Sequence, residues 1–523
     1  MLVNLKPITL LFAGILIANC DCYRILGVFP FASPSHYFLG NELMKGLAEA
    51  RHDVTIATVF HEKSPPSNGK YRQIVMDDLL TLQKALFEPI ANVSSGSSVS
   101  MQNPFKMATT FPRITINITE STISHPKFQR LVTSGERFDV LIVTQFNLEA
   151  VKALAPLMGA HLVLFNNNAM HSWMGHFVGI PVLPSINPEI IMGYTGQMNY
   201  RQRLLNTVVR MLFSGINYLY DGVQVDLARK YISKDVDLVE TQYNVALVLS
   251  NSHSSLNRAQ SSVPVIKDIA GFHVKPPKKL PDGIKKYLDE AENGAIYFSM
   301  GSNIRGADLP MAIKQGLMNA FAKRKERILW KFEEDDLPGK PENVRIEKWL
   351  PQSDILAHPN VKLFITHGGF LSTIETVYHG VPTVAIPVMG DQLMNARVAQ
   401  ADGYAFVLDF QALNEESISH AIEEVLTNDK YKNNAKYRSE IFHDRPMKPL
   451  EEAIYWVEYI VRHKGAPHLR VDYLNLRWYE YYLLDVFATF IVAAVVVFYI
   501  FKKILVLIFR SCCGKRSKKL KKQ

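Results

Sequence analysis

Short apolar runs bounded by polar turns recur along the chain, and many are followed by stretches with helical spacing. Arg24–Phe29 reads as a strand. Phe38, Leu39, Leu43, Leu47 and Ala48 then repeat near 3.6 residues, and Asp53–Thr58 reads as a second strand. Strand, loop, helix and strand in that order form a βαβ opening. Residues 60–135 are polar and irregular, predicting variable helices and loops. Further buried strands are predicted at Phe138–Val143, Ala160–Phe165 and Val245–Ser250, with a helix at Val151–Met158. Pro276–Pro281 is proline-rich and charged, as interdomain linkers are. Beyond it the alternation restarts: strand Ala295–Phe298, helix Met311–Phe321, strand Arg327–Phe332, then strands Val361–Ile365 and Thr383–Ile386. Pro449–Val461 places Ile454, Val457, Ile460 and Val461 on one helical face. Alternation of this kind specifies parallel sheets covered by helices, in two halves.

The densest chemistry lies between Trp349 and Gln392. A buried strand runs directly into Thr366-His367-Gly368-Gly369 and then Ser372-Thr373-Ile374-Glu375 at a helix start. Two glycines let backbone approach a ligand closely, and the free N–H groups of a helix N-terminus attract phosphate. His367, Ser372 and Thr373 add donors, while Glu375, deeper in the helix, suits a ribose diol. Trp349 offers a stacking face and Gln352 an amide for a base. Asp391 and Gln392 suit sugar hydroxyls. Base, phosphate, ribose and sugar in sequence describe a nucleotide-sugar pocket. Gly301-Ser302 forms another small, hydroxyl-bearing turn at a strand end. Asp235-Val236-Asp237, an acidic pair without a flanking buried strand, reads as solvated surface.

Composition changes this picture mainly at the two ends. The net charge is +9, but nine basic and no acidic residues fall between Lys502 and Gln523, so the body is neutral. That distribution fits a membrane surface and argues against a nucleic-acid partner. The four cysteines are Cys20, Cys22, Cys512 and Cys513, leaving none to cross-link the body or bind metal there. Lys6 followed by the apolar stretch Ile8–Ala18 predicts a signal peptide over residues 1–20. Val486–Phe501 lacks any charge and, with its flanks, predicts a transmembrane helix at 483–503 before a basic tail at 504–523. Two sequons, at Asn92 and Asn117, are glycosylation candidates in a lumen. Lys519 and Lys521 stand fifth and third from the end, which resembles a dilysine retrieval signal.

The chain resembles the UDP-glycosyltransferase superfamily, whose signature runs W-x-P-Q, H-x-G-x-x-S-x-x-E and D-Q. Trp349, Pro351, Gln352, His367, Gly369, Ser372, Glu375, Asp391 and Gln392 match it across 44 residues. Leu371 stands where many members carry Asn, and Gly-Gly-Phe-Leu-Ser-Thr resembles invertebrate members. The resemblance implies an α/β fold of GT-B type: two facing Rossmann-like domains plus the C-terminal transmembrane helix. An N-terminal acceptor-binding domain would cover 21–274 and a UDP-sugar-binding domain 275–445. Residues 446–480 would supply a return helix and membrane-proximal segment, with His463–Arg470 packing back onto the N-terminal half.

By the same resemblance, Phe29-Pro30 and Ser35-His36 match the segment holding the family's catalytic base, making His36 the candidate general base. Gly301, Ser302, Trp349, Gln352, His367, Gly368, Gly369, Ser372, Thr373, Glu375, Asp391 and Gln392 are the candidate donor-binding residues. Thr144 occupies the position of the family's acidic helper and cannot supply its charge; Glu149, about one helical turn on, is a candidate substitute. The implied reaction is inverting transfer of a hexose from a UDP-sugar to a hydroxyl of a small lipophilic acceptor. Glucose is favoured and glucuronic acid stands next. No metal or cofactor is required. The aromatic and Met-rich stretch 169–222 is a candidate acceptor lining. Because Thr144 lacks a charge, the alternative is a catalytically weak UDP-sugar or lipophile binding protein on the same fold. The expected setting is single-pass in the endoplasmic reticulum membrane, body lumenal and tail cytoplasmic, with homo-oligomers compatible.

Overall fold

A computed structural model describes residues 22–91, 103–170 and 172–519. The candidate signal peptide, Asn92 and the last four residues lie outside them. One compact unit runs through Arg470, and a second begins at Val471.

The first unit holds two parallel sheets. Seven strands form the N-terminal sheet: β1 (Arg24–Phe29), β2 (Asp53–Thr58), β3 (Lys70–Val75), β4 (Val140–Thr144), β5 (His161–Asn166), β6 (Val245–Ser250) and β7 (Ile266–Asp268), in spatial order β3-β2-β1-β4-β5-β6-β7. Six form the second: β8 (Ala295–Ser299), β9 (Arg327–Lys331), β10 (Val344–Glu347), β11 (Val361–Thr366), β12 (Thr383–Ala385) and β13 (Ala405–Val407), in order β10-β9-β8-β11-β12-β13. Both reverse strand order beside their first strand, as doubly wound sheets do. These are the two Rossmann-like domains of a GT-B architecture.

Burial explains why the apolar runs became strands. Every residue of β4 and β6 is buried, because helices cover both faces of a parallel sheet. Side chains alternate between layers. Leu26 and Val28 enter one core cluster, Ile25 and Phe29 the opposite one. Ile296 and Phe298 part from Ala295 and Tyr297 in the same way.

The stretch 60–135 holds more order than its polarity predicts. It contains the strand β3, whose KYRQIV sequence alternates exposed and covered positions at the sheet edge. It also contains a 21-residue helix, Pro104–Ser124, despite many Thr and Ile residues and an internal proline. Packing overrides propensity there: Ile114, Ile118 and Ile123 are buried, Pro104 occupies the first turn, and the Asn103 side chain accepts from the Phe105 and Lys106 amides. Asn117 is exposed on this helix. A 32-residue helix, Tyr200–Tyr231, occupies much of the aromatic and Met-rich stretch. Asp235 and Asp237 are exposed.

The helix Pro449–Arg462 leaves the second sheet and packs on the first. Ala453, Val457 and Ile460 are fully buried among Leu39, Leu43 and Leu47 of the helix Pro34–Glu49. Gly46 admits this contact, since a Cβ there would lie 2.6 Å from Leu450 Cδ1. Ala466 is buried in the same cluster. Within the second unit, the helix Leu484–Lys519 contains one stretch long and apolar enough to cross a membrane, Leu484–Ser511.

Ile460→Ala should lower stability by about 2–5 kcal/mol by opening a cavity beneath the return helix. Denaturant unfolding of the detergent-solubilised protein measures this, and an unchanged midpoint would show that the helix does not brace the first sheet.

Candidate active site

Residues beyond the carboxyl ends of β1 and β5 on one side and of β8 and β11 on the other line a single cavity of about 510 Å3. Ligands bind at such strand ends where the order of the sheet reverses. Across it, Ser33 and Asn303 approach within hydrogen-bonding distance, 3.5 Å between Oγ and Oδ1.

On the N-terminal side, β1 leads into a loop pinned by the fully buried Gln83. Its amide donates to the Pro30 carbonyl at 2.9 Å and accepts from the Ala32 N–H at 2.8 Å. The loop delivers His36 into the first turn of the helix Pro34–Glu49. The ring edges of Phe31 and Phe146 enclose the imidazole, with centroids 5.7 and 4.9 Å away. Burial lowers its pKa to about 4, so the ring is neutral at neutral pH. Asn167 Nδ2 stands 3.2 Å from His36 Nδ1 and 3.2 Å from Thr144 Oγ1. Asn167 follows β5, and Asn251 Nδ2, after β6, holds its carbonyl at 3.0 Å.

The structure places both candidate helpers of His36. Thr144 is buried at the end of β4 and does not line the cavity; it meets His36 only through Asn167. Glu149 is not its substitute. That carboxylate is buried, accepting from Gln145 Nε2 at 2.9 Å and facing the fully buried Lys152 at 3.4 Å. The Lys152 ammonium, which also sits 3.8 Å over the Phe177 ring, pairs with this carboxylate, and Glu149 is not in the cavity lining.

On the C-terminal side, His367 follows β11 with its ring between two glycines. A Cβ on Gly301 would lie 2.4 Å from His367 Cε1, and one on Gly369 would lie 2.4 Å from Nε2. Gly301 also has φ +84°, a conformation that strains other residues. Burial first, then the Lys331 charge, lowers the His367 pKa to about 4, leaving a neutral ring. Gly368 has φ +78°, and its carbonyl accepts from Asn395 at 3.1 Å. The helix Phe370–His379 then begins on Gly369, which has no side chain to cap the first amides. Those N–H groups remain for an anion.

Gln352 is held rather than free. Its Nε2 donates to Ser372 Oγ at 3.0 Å and to the Glu375 carboxylate, and its Oε1 accepts from Tyr297 at 3.3 Å. Burial raises the Glu375 pKa to about 7. Trp349 is 74% exposed at the cavity edge, leaving its face available for stacking. Gln392 Oε1 accepts from the Val388 and Met389 amides, which fixes this side chain at the cavity lining. Asp391 accepts from Asn395 at 2.7 Å.

Gly301, Ser302, Trp349, Gln352, His367, Gly369, Ser372, Glu375, Asp391, Gln392 and His36 thus share one lining. Thr373 does not: it is buried and its hydroxyl donates to the Gly369 carbonyl at 3.2 Å, bracing the helix start. Gly368 is absent from the lining as well, and contributes turn geometry. Lys331 and Tyr297 join the site unforeseen. Lys331 Nζ donates to the Gly301 carbonyl at 2.9 Å and to Glu333. Its one signal was a cation ending the otherwise apolar run Ile328–Trp330.

A second, smaller and mostly apolar cavity of about 120 Å3 meets the first at His36, Asn168 and Asp391. Its walls are Met107, Phe111, Phe146, Ile190, Ile191 and Phe213. The stretch 169–222 therefore supplies part of this lining, while the helix Pro104–Ser124 and Phe146 supply the rest. Among the described residues, no group of three or more His, Cys, Asp or Glu side chains converges as a metal site.

A nucleotide-sized cavity at facing switch points, lined by the Gly301, His367 and Gly369 turns and opening beside a buried neutral imidazole, fits a sugar-nucleotide-dependent glycosyltransferase of the GT-B class. The comparisons agree. The chain belongs to the UDP-glucoronosyl and UDP-glucosyl transferase family, whose model matches residues 71–519. It is 34% identical over 517 residues to UDP-glucosyltransferase 2 of Dactylopius coccus, covering 97% of this chain and 98% of that one. It is also 34% identical over 482 residues to UDP-glycosyltransferase UGT5 of the same insect, covering 91% and 90%. Among solved structures it is similar to TcCGT1 in complex with UDP, with TM-score 0.55 and 15% identity over 85% of this chain and all of that one. The protein is an enzyme that transfers a sugar from a UDP-sugar.

Gly301→Ala should displace the His367 ring or strain the turn at a cost of about 1–3 kcal/mol, raising the KM for UDP-sugar roughly tenfold or more with the circular-dichroism spectrum unchanged. Steady-state kinetics checks it; an unaltered KM would mean the packed imidazole is not part of donor binding.

Proposed function

We propose that the enzyme transfers glucose, with inversion, from UDP-glucose to a hydroxyl group of a small lipophilic acceptor, with His36 as general base. The observation that carries this reading is the meeting of the two cavities. His36 and Asp391 stand in both linings, so an apolar acceptor in one and a donor sugar in the other converge on the same imidazole. A base works only where it reaches the proton it abstracts, and a pKa below the working pH keeps it unprotonated.

In this scheme Trp349 stacks on the uracil, Glu375 accepts from the ribose hydroxyls, and the amides opening the helix Phe370–His379 hold the diphosphate. Ser302 and Ser372 lie beside that anion. His367, neutral, donates one hydrogen bond to it, and Asp391 and Gln392 take the hexose hydroxyls. The acceptor hydroxyl loses its proton to His36 and attacks the anomeric carbon from the face opposite UDP. As the bond to the diphosphate breaks, negative charge grows where the helix amides point. No step calls for a metal.

The lining favours a neutral sugar. Its carboxylates are Asp354, Glu375 and Asp391, against Lys331 as the sole cationic side chain, and that ammonium is already engaged by Glu333 and the Gly301 carbonyl. The glucuronate carboxylate would find no free partner there. Glucuronic acid stands second.

The described helix Leu484–Ser511 would span about 42 Å at 1.5 Å per residue, enough for the roughly 30 Å hydrocarbon layer. With the basic tail held in the cytoplasm, the body faces the lumen of the endoplasmic reticulum, where Asn117 is accessible for glycosylation.

His36→Ala should lower kcat by about 10²- to 10⁴-fold while leaving UDP affinity unchanged by calorimetry, and UDP-glucose should outperform UDP-glucuronate and UDP-galactose across a phenol and alcohol panel. Full activity of the variant would remove His36 from the chemistry, and a preference for UDP-glucuronate would reverse the donor assignment.

A further inference from the structure

The family's base is oriented by a carboxylate, and in this chain that position is Thr144. Something else must set the His36 tautomer. For Nε2 to accept the acceptor's proton, Nδ1 must carry its own, so Nδ1–H needs an acceptor. The side chain that touches Nδ1 is Asn167, at 3.2 Å, and the same amide group lies 3.2 Å from Thr144 Oγ1. Its other terminus, Oδ1, is buried without a hydrogen-bond partner. With nitrogen toward the ring, the amide would donate to Nδ1 and hold the imidazole as its Nε2–H form, which has no lone pair for the acceptor. An amide occupies the same space when turned by half a rotation. Oδ1 would then accept from both His36 Nδ1–H and the Thr144 hydroxyl. The number of hydrogen bonds is equal in the two orientations, so the proton inventory of the reaction decides between them.

We propose that Asn167 is the positioning residue for His36, its carbonyl oxygen accepting the Nδ1 proton while Thr144 donates to the same oxygen. Two neutral side chains thereby take over the orienting task of one carboxylate. This inference rests on His36 being the base. Asn167 borders the larger cavity beside His36, and the role assigned to it is exerted through the ring. The pair is braced by the backbone, since Asn251 fixes the Asn167 carbonyl and Ser250 Oγ donates to that of Asn168 at 3.1 Å. Asn167 is 5% exposed, so little of its amide meets solvent.

A neutral orienter differs from a charged one in a measurable respect. A carboxylate would stabilise the imidazolium and raise the His36 pKa; an amide does not, and the low pKa of this buried ring has no opposing charge among its causes. Glu189, Lys331, Asp354, His367, Glu375 and Asp391 also line the two cavities. The informative quantity is therefore the difference between variants in the acid limb of kcat/KM, not its absolute position.

The test compares Asn167→Ala, Asn167→Asp and His36→Ala in the full-length enzyme with UDP-glucose and a phenol. Asn167→Ala should lower kcat at least about tenfold with KM for UDP-glucose and UDP affinity unchanged. Asn167→Asp should retain turnover and move the acid limb upward by about one to three pH units. In the wild-type protein, 15N spectra of labelled histidine, with His36 assigned by its loss in His36→Ala, should report the Nδ1–H tautomer. Wild-type kcat in Asn167→Ala beside an inactive His36→Ala would overturn this role and leave the base assignment standing. An unshifted acid limb in Asn167→Asp, or an Nε2–H tautomer in the wild type, would overturn it as well. An active His36→Ala would overturn both.

Discussion

A crevice opens in a parallel sheet wherever neighbouring strands send their connections to opposite faces, because no helix then covers the strand ends between them. In this protein two such crevices, at β1/β4 and at β8/β11, share one cavity. Everything chemical follows from that shared opening. The loops after β1, β4 and β5 carry His36, Phe146 and Asn167, and those after β8 and β11 carry Gly301, His367 and Gly369. The return helix Pro449–Arg462 covers one face of the first sheet. It does so by contributing Ala453, Val457 and Ile460 to the same core as β1 and β2.

Charge is distributed sparingly around the opening. Both imidazoles are neutral at neutral pH, with pKa values lowered to about 4, and Glu375 titrates near 7. Lys331 is already paired. A diphosphate entering this site therefore meets oriented dipoles, chiefly helix amides and a neutral imidazole, more than free cations. Dipoles fixed by the fold need no reorganisation as negative charge develops, which is the property a leaving diphosphate requires. The tight seat of His367 between Gly301 and Gly369 is part of that fixity, because a ring with no room to turn keeps its donor aimed.

Much of this was legible in the sequence for a physical reason: parallel strands buried on both faces are continuous apolar runs, so β1, β4, β6, β8 and β11 announce themselves. The edge strand β3 did not, since one face is solvated and KYRQIV resembles a loop. The helix Pro104–Ser124 was hidden by its Thr, Ile and Pro content, which packing overrides. Motif spacing picked out candidate donor residues that mostly share one cavity lining, because they are local in sequence. It misassigned Thr373, whose hydroxyl turns back to Gly369, since side-chain direction in a first helical turn is not written in spacing. Thr144 was readable as a missing charge, but its consequence was not. Glu149 looked suitable by proximity in sequence and is instead bound to Lys152, while Asn167, 131 residues from His36, meets it only through folding. Gln83 and Phe111 escaped notice for the same reason.

The central claim is geometric: the acceptor oxygen, activated at His36, approaches the hexose from the side opposite the diphosphate held by the second sheet. The configuration of the glycoside formed tests this most directly, read from the anomeric proton coupling of product isolated from an α-linked UDP-sugar. The account predicts a β-glycoside. An α-glycoside would mean that the acceptor enters from the diphosphate side, and would contradict the placement of base and donor across one cavity.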